Sequence, residues 1–137
     1  MIHFKYKAIK RPDGTFSRCP VIPISLDKFD TIALIDSGAD ISAMFKEMAE
    51  SLDLNMEGEQ DVAFGVGGKV KSLNSTISFS ITQGHEKYQL NIPIKIILDD
   101  FSFPLLLGRR GFFNEFVITF DENKERFSLT KVNNRIY

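Results

Sequence analysis

Asp36 is the residue of this sequence that is best placed to do chemistry. It follows Thr31–Ile35, an apolar and β-branched run that predicts a buried strand, and it precedes Ser37 and Gly38. A carboxylate at the end of an apolar strand is unfavourable to bury unless it is paired or hydrogen-bonded. Gly38 lets the backbone turn sharply and lets another group approach closely. The stretch Ala33–Asp40 therefore predicts one carboxylate held rigidly at the floor of a cleft.

Asp-Ser-Gly is also an ordinary turn sequence, so the tripeptide alone does not distinguish a functional aspartate from a turn. Average residue usage gives Asp, then Ser or Thr, then Gly by chance in roughly one chain in twenty of this length. Two apolar residues before it and an Ala after it reduce this to about one in a thousand. The longer pattern favours a functional aspartate, with support needed from elsewhere in the chain.

Length and charge limit the classes of function. The 137 residues predict one domain, residues 1–137, with a real core. The net charge is −1 and the basic residues are scattered, which predicts no nucleic-acid partner and no membrane partner. The start of the chain lacks a signal-peptide core, and the single cysteine, Cys19, fits a reducing compartment, so we expect a cytoplasmic protein.

Neither the cysteine nor the histidines suggest a catalytic or metal centre. Cys19 is best interpreted as a small packed residue, and His85 as a solvated turn residue. Two histidines and one cysteine give no metal-ligand spacing, so we expect no metal and no cofactor. Asp99 and Asp100 are interpreted as a turn, because neighbouring strand residues point to opposite faces.

The elements around Asp36 are mostly strands. Apolar and polar residues alternate from Ile2 to Ala8, from Thr76 to Thr82 and from Tyr88 to Leu98, with turns between them such as 11–14 and 83–85. After Asp36 the period changes to that of a helix over Ala43–Leu52, with Ser42 as its N-cap. About eight short strands and one helix predict a small, mostly antiparallel β-barrel or sandwich.

Two further motifs follow. Phe64–Lys69 holds three glycines between extended segments, which predicts a mobile hairpin tip; a phosphate loop is disfavoured because neither Lys-Ser/Thr nor a helix follows. Phe103–Arg110 is an apolar strand that ends in Leu-Leu-Gly-Arg.

An apolar strand ending in Asp-Ser-Gly-Ala, a glycine-tipped hairpin and a strand ending in Leu-Leu-Gly-Arg together resemble the retropepsin-like (retroviral-type) aspartic proteases. The similarity spans roughly residues 20–120 and is to the small single-domain cellular or prokaryotic members, in which a helix follows the catalytic loop. It implies a closed or nearly closed acid-protease β-barrel. The helix and the long C-terminal hairpin are absent from the viral enzymes.

The resemblance implies a role for each motif residue. Asp36 would be the catalytic aspartate, and the hydroxyl of Ser37 would hydrogen-bond across a two-fold axis. Arg109 would form an ion pair with Asp40. The residues implied to support the active site are Ser37, Gly38, Ala39, Asp40 and Arg109. The residues implied to bind substrate, as a flap or as pocket walls, are Ile35, Phe64, Gly65, Val66, Gly67, Gly68, Lys69 and Leu107.

The implied chemistry requires two carboxylates that share one proton, since like charges about 3 Å apart cannot both ionise easily. One activates a water, and the protonated one polarises the scissile carbonyl of a peptide or unfolded-protein substrate. This chain has one Asp-Ser/Thr-Gly, so we expect an isologous homodimer.

Two alternatives remain open at this point. A dimeric β-barrel could keep the fold and bind extended peptides without cleaving them. An α/β phosphoacceptor or hydrolase that used Asp36 as nucleophile would need repeated strand–helix alternation, which the sequence lacks.

Overall fold

The computed structural model describes residues 1–65, 68–99 and 103–132. Across these ranges the chain forms twelve strands, one helix, α1 (Lys46–Ser51), and a short 3-10 turn at Phe113–Glu115. The strands are β1 (Ile2–Lys5), β2 (Lys7–Lys10), β3 (Phe16–Cys19), β4 (Val21–Ser25), β5 (Asp30–Ile35), β6 (Ser42–Phe45), β7 (Gln60–Gly65), β8 (Gly68–Gln83), β9 (Glu86–Ile97), β10 (Leu105–Leu107), β11 (Phe116–Asp121) and β12 (Arg126–Lys131).

Six strands form a ring in the order β4-β5-β10-β6-β9-β8, because β4 also pairs with β8 where Ser25 lies opposite Ser80. β7 lies beside β8, outside this ring, while β1-β12-β11 and β2-β3 form two smaller sheets. The predicted all-β barrel with one helix after Asp36 is confirmed. The described residues hold twelve strands, where the sequence predicts about eight.

Two strand pairings in the ring are parallel, β5 with β10 and β6 with β9. Leu105, Leu106 and Leu107 lie beside Ala33, Leu34 and Ile35. Because parallel strands end at the same edge of a sheet, Asp36 and Gly108 leave their strands side by side. This pairing places the two sequence motifs next to each other.

The core follows the predicted strand alternation. Over residues 77–81 of β8 and 90–96 of β9, side chains at every second position are buried. β6 and β10 add Met44 and Leu105, which have no exposed surface. The buried side chains of β8 and β9 that show the period of two are Ile77, Phe79, Ile81, Leu90, Ile92, Ile94 and Ile96. The predicted one-sided strands are thus confirmed, with their apolar faces inside the barrel.

The predicted helix over Ala43–Leu52 with Ser42 as N-cap is wrong in its first turn. Ser42–Phe45 is strand β6, which pairs in parallel with β9, and Leu106 of β10 lies opposite Ala43. The helix begins at Lys46 without a side-chain cap and ends at Ser51. Pairing on both edges of β6 outweighs the weak local helix preference of these residues.

The predicted turns are present where glycine adopts a positive φ. Gly14 has φ +88° between β2 and β3, and Gly84 has φ +60° between β8 and β9. Residues 60–65 and 68–73 pair antiparallel as a hairpin, with Gly65 opposite Gly68. We call these two segments the β7–β8 hairpin. Asp99 is exposed, while Asp100 and the tail 133–137 lie outside the described residues.

Candidate active site

Asp36 lies at the end of β5, where the parallel pair β5–β10 finishes. Its backbone N–H donates to the carbonyl of Leu107 at 3.0 Å, which continues the ladder one residue beyond the strand. The residue is half-buried. Because the Asp36 backbone is hydrogen-bonded to the neighbouring strand, the sheet holds the carboxylate in place, and its position does not depend on a mobile loop.

The carboxylate of Asp36 is fixed from the other side by its own turn. Its Oδ1 accepts a hydrogen bond from the Gly38 N–H at 2.9 Å, and the Ala39 N–H donates to the Asp36 carbonyl at 3.2 Å. A Cβ on Gly38 would lie 3.3 Å from Asp36 Oδ1, which is tight. Within the described ranges, the second carboxylate oxygen has no protein hydrogen-bond donor, so one oxygen is anchored and one is available.

Residues 36–41 connect β5 to β6, and we call them the Asp36 loop. Its residues 39–41 lie across the end of β10. The backbone N–H groups of Arg109 and Arg110 donate to the carbonyls of Ala39 and Asp40, both at 2.8 Å. Ile41 then forms a parallel bridge with Arg110. The Asp-Ser-Gly-Ala and Leu-Leu-Gly-Arg motifs are therefore two halves of one hydrogen-bonded unit.

Ser42 is a residue of this unit that the sequence interpretation assigned to a different role. Its side chain has no exposed surface, and its Oγ accepts a hydrogen bond from the Gly108 N–H at 2.9 Å. The signal in the sequence is a lone hydroxyl residue at the head of the apolar run Ala43-Met44-Phe45, six residues after Asp36. Ser42 supports the loop from inside the barrel.

We expect Ser42→Ala to lower the free energy of unfolding by about 1–3 kcal/mol, because it leaves the buried Gly108 N–H without a partner. Ser72 is the matched control: it is equally buried, but its Oγ has no hydrogen-bond partner in the described part of the chain. Ser72→Ala should change stability by less than about 0.5 kcal/mol. Urea denaturation measures both, and equal losses would contradict the role of Ser42.

Arg109 and Asp40 form the predicted ion pair, with Arg109 Nη2 donating to Asp40 Oδ1. The pair is exposed, since 58% and 78% of the two side-chain surfaces are accessible. An exposed pair contributes at most about 1 kcal/mol. The backbone bonds of residues 39–41 therefore hold the loop more firmly than this ion pair does.

Ser37 is exposed next to Asp36. Its hydroxyl makes no hydrogen bond to any other residue that the structure describes, in contrast to the engaged backbone around it. The prediction that it bonds across a two-fold axis concerns a second subunit. The single chain leaves this hydroxyl available for such a contact.

Of the predicted flap, Phe64, Gly65, Gly68 and Lys69 lie near the end of the β7–β8 hairpin, whereas Val66 and Gly67 lie outside the described residues. Phe64 is 73% exposed, and the Lys69 ammonium lies 5.7 Å from the centre of its ring. An exposed aromatic at a glycine-rich hairpin end is available to contact a ligand.

Ile35 and Leu107, the predicted pocket walls, lie opposite each other on β5 and β10. Their exposed fractions are 4% and 0%, because the strand period turns both side chains into the core. In the single chain, Ile35 and Leu107 pack in the core beneath the strand ends that carry Asp36 and Gly108. They offer almost no surface to a substrate. The expected pocket role does not fit this burial.

The remaining side chains with possible chemistry lie elsewhere. Cys19 is half-buried and its Sγ is 3.5 Å from the Ser17 carbonyl, while His85 is exposed in the Gly84 turn. Over the described ranges, no three His, Cys, Asp or Glu side chains are grouped so that they could hold a metal ion. The described helix α1, six residues long, is too short to cross a membrane.

A cavity of about 520 Å³ lies where β4 meets β8 and β9. It is lined by Ser25, Leu26, Asp27, Ser78, Phe79, Ser80, Gln89, Leu90 and Asn91. None of these residues belongs to the Asp36 loop or to the β7–β8 hairpin. This cavity is separate from the site at Asp36.

The whole structure is similar to the crystal structure of a retropepsin-like aspartic protease from Rickettsia conorii. The TM-score is 0.63 at 20% sequence identity, and the match covers 93% of this chain and 98% of that chain. The sequence matches no protein-family model, and no curated protein matches it. The predicted resemblance is thereby confirmed at the level of the fold: the chain has a small retropepsin-like architecture.

Proposed function

We propose that this protein is an aspartic endopeptidase that acts as a homodimer. The observation that carries the proposal is the half-buried Asp36 carboxylate, held by the Gly38 N–H through one oxygen, at the end of a parallel strand pair in a retropepsin-like fold. Such a group is rigid and has one oxygen available for water or a proton.

A second carboxylate has to come from another subunit. The sequence contains one Asp-Ser/Thr-Gly, and the nearby Asp40 is already paired with Arg109. A two-fold axis beside Asp36 would bring two identical loops together in an isologous dimer. The two carboxylates would then share a proton, because two like charges at close distance disfavour double ionisation.

In this dimer, the ionised Asp36 would act as general base on a water molecule that attacks the scissile carbonyl. The protonated Asp36 would donate a hydrogen bond to the carbonyl oxygen and polarise it. The proton taken from water would then pass to the amine that leaves as the C–N bond breaks. Because water and not a side chain is the nucleophile, no covalent acyl-enzyme forms. The Gly38 N–H would keep each carboxylate oriented throughout.

The β7–β8 hairpin would act as the flap. Closing over an extended peptide would exclude water and allow backbone hydrogen bonds between hairpin and substrate, as in β-augmentation. Gly65 and Gly68 would let the substrate backbone approach, and the exposed Phe64 would offer apolar contact area. Val66 and Gly67 are proposed as flap residues from the sequence.

Ser37→Ala is expected to weaken dimerisation at least about fivefold and to lower activity at low protein concentration, because one hydroxyl is lost from each loop of the dimer. Ser37→Thr keeps the hydroxyl and should retain most of both properties. Dimer dissociation constants from analytical ultracentrifugation measure the difference. If the alanine variant dimerises like the parent, Ser37 does not bridge the subunits.

The proposal is tested by incubating the purified protein with unfolded protein substrates near pH 4–6 and by determining its mass by light scattering. We expect cleavage, and a particle of twice 15.6 kDa. Specific activity should fall on dilution below the dimer dissociation constant. A dimer that binds extended peptides without cleaving them would instead indicate the catalytically silent β-barrel, and a strict monomer would contradict the proposal.

A further inference from the structure

A polar cluster joins the β7–β8 hairpin to the barrel. It consists of Lys95 on β9, Asn74 opposite it on β8, and Asp61 on β7, and we call it the clamp. Since β7 lies outside the ring, a side chain of β9 that reaches β7 crosses β8 entirely. The clamp therefore connects three neighbouring strands.

The Lys95 ammonium uses all of its donors in the clamp. It lies 2.9 Å from Asp61 Oδ2, 3.2 Å from Asn74 Oδ1 and 3.3 Å from the Val62 carbonyl. An ammonium has three N–H donors, so its hydrogen-bonding capacity is filled. Only 16% of the Lys95 side chain is exposed, which is unusual for a lysine, whereas 46% of the Asp61 side chain is exposed and faces solvent.

The clamp partners are bonded to one another as well. Asn74 Nδ2 donates to Asp61 Oδ2 at 3.3 Å, and the Val62 N–H donates to Asp61 Oδ1 at 2.8 Å. The Asn74 N–H donates to the Glu59 carbonyl, just before β7, at 3.1 Å. The base of the hairpin is thus fixed by side chains and by backbone.

Apart from its backbone ladder with β8, β7 has little other support. Its side chains are exposed except for the half-buried Ala63, so core packing contributes little to its position. Segments with few buried apolar contacts open most easily. The ladder ties β7 to β8 alone, whereas Lys95 ties β7 directly to β9 through Asp61 and the Val62 carbonyl.

We infer that Asp61, Asn74 and Lys95 are positioning residues that hold the flap over the substrate. This inference rests on the proposed function, in which the β7–β8 hairpin is the flap. The clamp residues do not belong to the Asp36 loop, so they act on substrate binding more than on the chemical step.

The clamp should persist at the mildly acidic pH proposed for cleavage. The pKa of Asp61 is lowered from 3.8 to about 2, first because Lys95 donates a hydrogen bond to the carboxylate, and then because the Val62 N–H and Asn74 donate to it. Because the pKa of Asp61 is lower in the folded state, its ionised carboxylate stabilises the folded protein. This stabilisation is fully present above the unfolded-state pKa of 3.8 and is lost as the pH falls through about 2. An NMR titration should show this low pKa of Asp61, and a rise toward 3.8 in Lys95→Met.

The test compares Lys95→Met, which keeps the side-chain stem, with Lys87→Met, an exposed lysine on the same strand. Hydrogen exchange of amides in the β7–β8 hairpin should be about fivefold faster in Lys95→Met and unchanged in Lys87→Met. KM for a peptide substrate should rise about fivefold with a smaller change in kcat, and Lys95→Arg should restore most of both.

The two proposals fail in different ways. If amides of the β7–β8 hairpin exchange as slowly in Lys95→Met as in the parent, the clamp does not hold the hairpin, whether or not the protein cleaves peptides. Faster exchange with an unchanged KM in an active enzyme would also overturn its positioning role. If neither the parent nor Asp36→Asn cleaves any substrate, the proposed function fails, while the exchange data still decide whether the clamp holds the hairpin.

Discussion

Asp36→Asn is expected to lower the rate of peptide hydrolysis by about a hundred- to ten-thousandfold. The change removes the ionisable oxygen from both halves of the proposed dyad, so no group is left to take the proton from water. Cleavage assays of parent and variant near pH 4–6 measure the loss.

The fold of this variant should be retained. An asparagine Oδ1 can still accept the hydrogen bond that Asp36 Oδ1 accepts from the Gly38 N–H at 2.9 Å. Asp30→Asn is the matched control, because it makes the same substitution at the exposed start of β5. Asp30→Asn should keep parental activity. Equal cleavage by the parent and Asp36→Asn would remove Asp36 from the mechanism.

Mixing the two proteins tests whether each site uses both subunits. Each proposed site takes one Asp36 from either subunit, so a mixed dimer has one carboxylate and should be inactive. When subunits pair at random in an equal mixture, about a quarter of the dimers contain two parental subunits. The activity of the mixture should therefore be about half of that measured for the same amount of parental protein without the variant. Activity that stays proportional to the amount of parent would contradict a shared site.

The strands and turns could be predicted because their signals are local. A period of two and a glycine at a reversal describe β8, β9 and the turn at Gly84 without reference to the rest of the chain. The Ile2–Ala8 alternation was equally clear, yet the structure divides it at Tyr6. Ile2–Lys5 pairs with β12 and Lys7–Lys10 pairs with β3, and neither partner can be recognised from the alternation itself.

The interior of the candidate site could not be predicted for the same reason. Ser42 has the local pattern of a helix cap, and its true role depends on Gly108, 66 residues away. Ile35 and Leu107 flank the two motifs in sequence, but the direction of their side chains follows from strand pairing inside the barrel. Sequence motifs identified which residues are near Asp36, while long-range packing decides which of them face it.

Gly108→Ala is expected to cause the largest loss of stability among the substitutions considered. A Cβ at this position would lie 2.7 Å from the Ile41 carbonyl carbon, 2.8 Å from the Ala39 carbonyl oxygen and 2.9 Å from the Ile41 carbonyl oxygen. All three atoms are backbone atoms, so no side-chain rotation relieves the contact. The loop 39–41 would have to move away from β10.

That movement would break several hydrogen bonds together. The Arg109 and Arg110 N–H groups donate to the Ala39 and Asp40 carbonyls, and the Gly108 N–H donates to the buried Ser42 Oγ. Overpacking at a rigid site costs about 1–3 kcal/mol, and the lost bonds add to it. We expect a loss of about 3 kcal/mol or more, which corresponds to a fall in Tm of roughly 10 °C for a chain of this size.

Gly65→Ala provides the control for stability. A Cβ at Gly65 meets no atom within 4 Å, so the same substitution should leave Tm nearly unchanged. Because Asp36 shares this loop, Gly108→Ala should also lose peptide hydrolysis at temperatures where it is still folded, since displacing residues 39–41 shifts the turn that holds the carboxylate. A Gly108→Ala protein with parental Tm would show that the close crossing of β10 under the loop does not constrain the site.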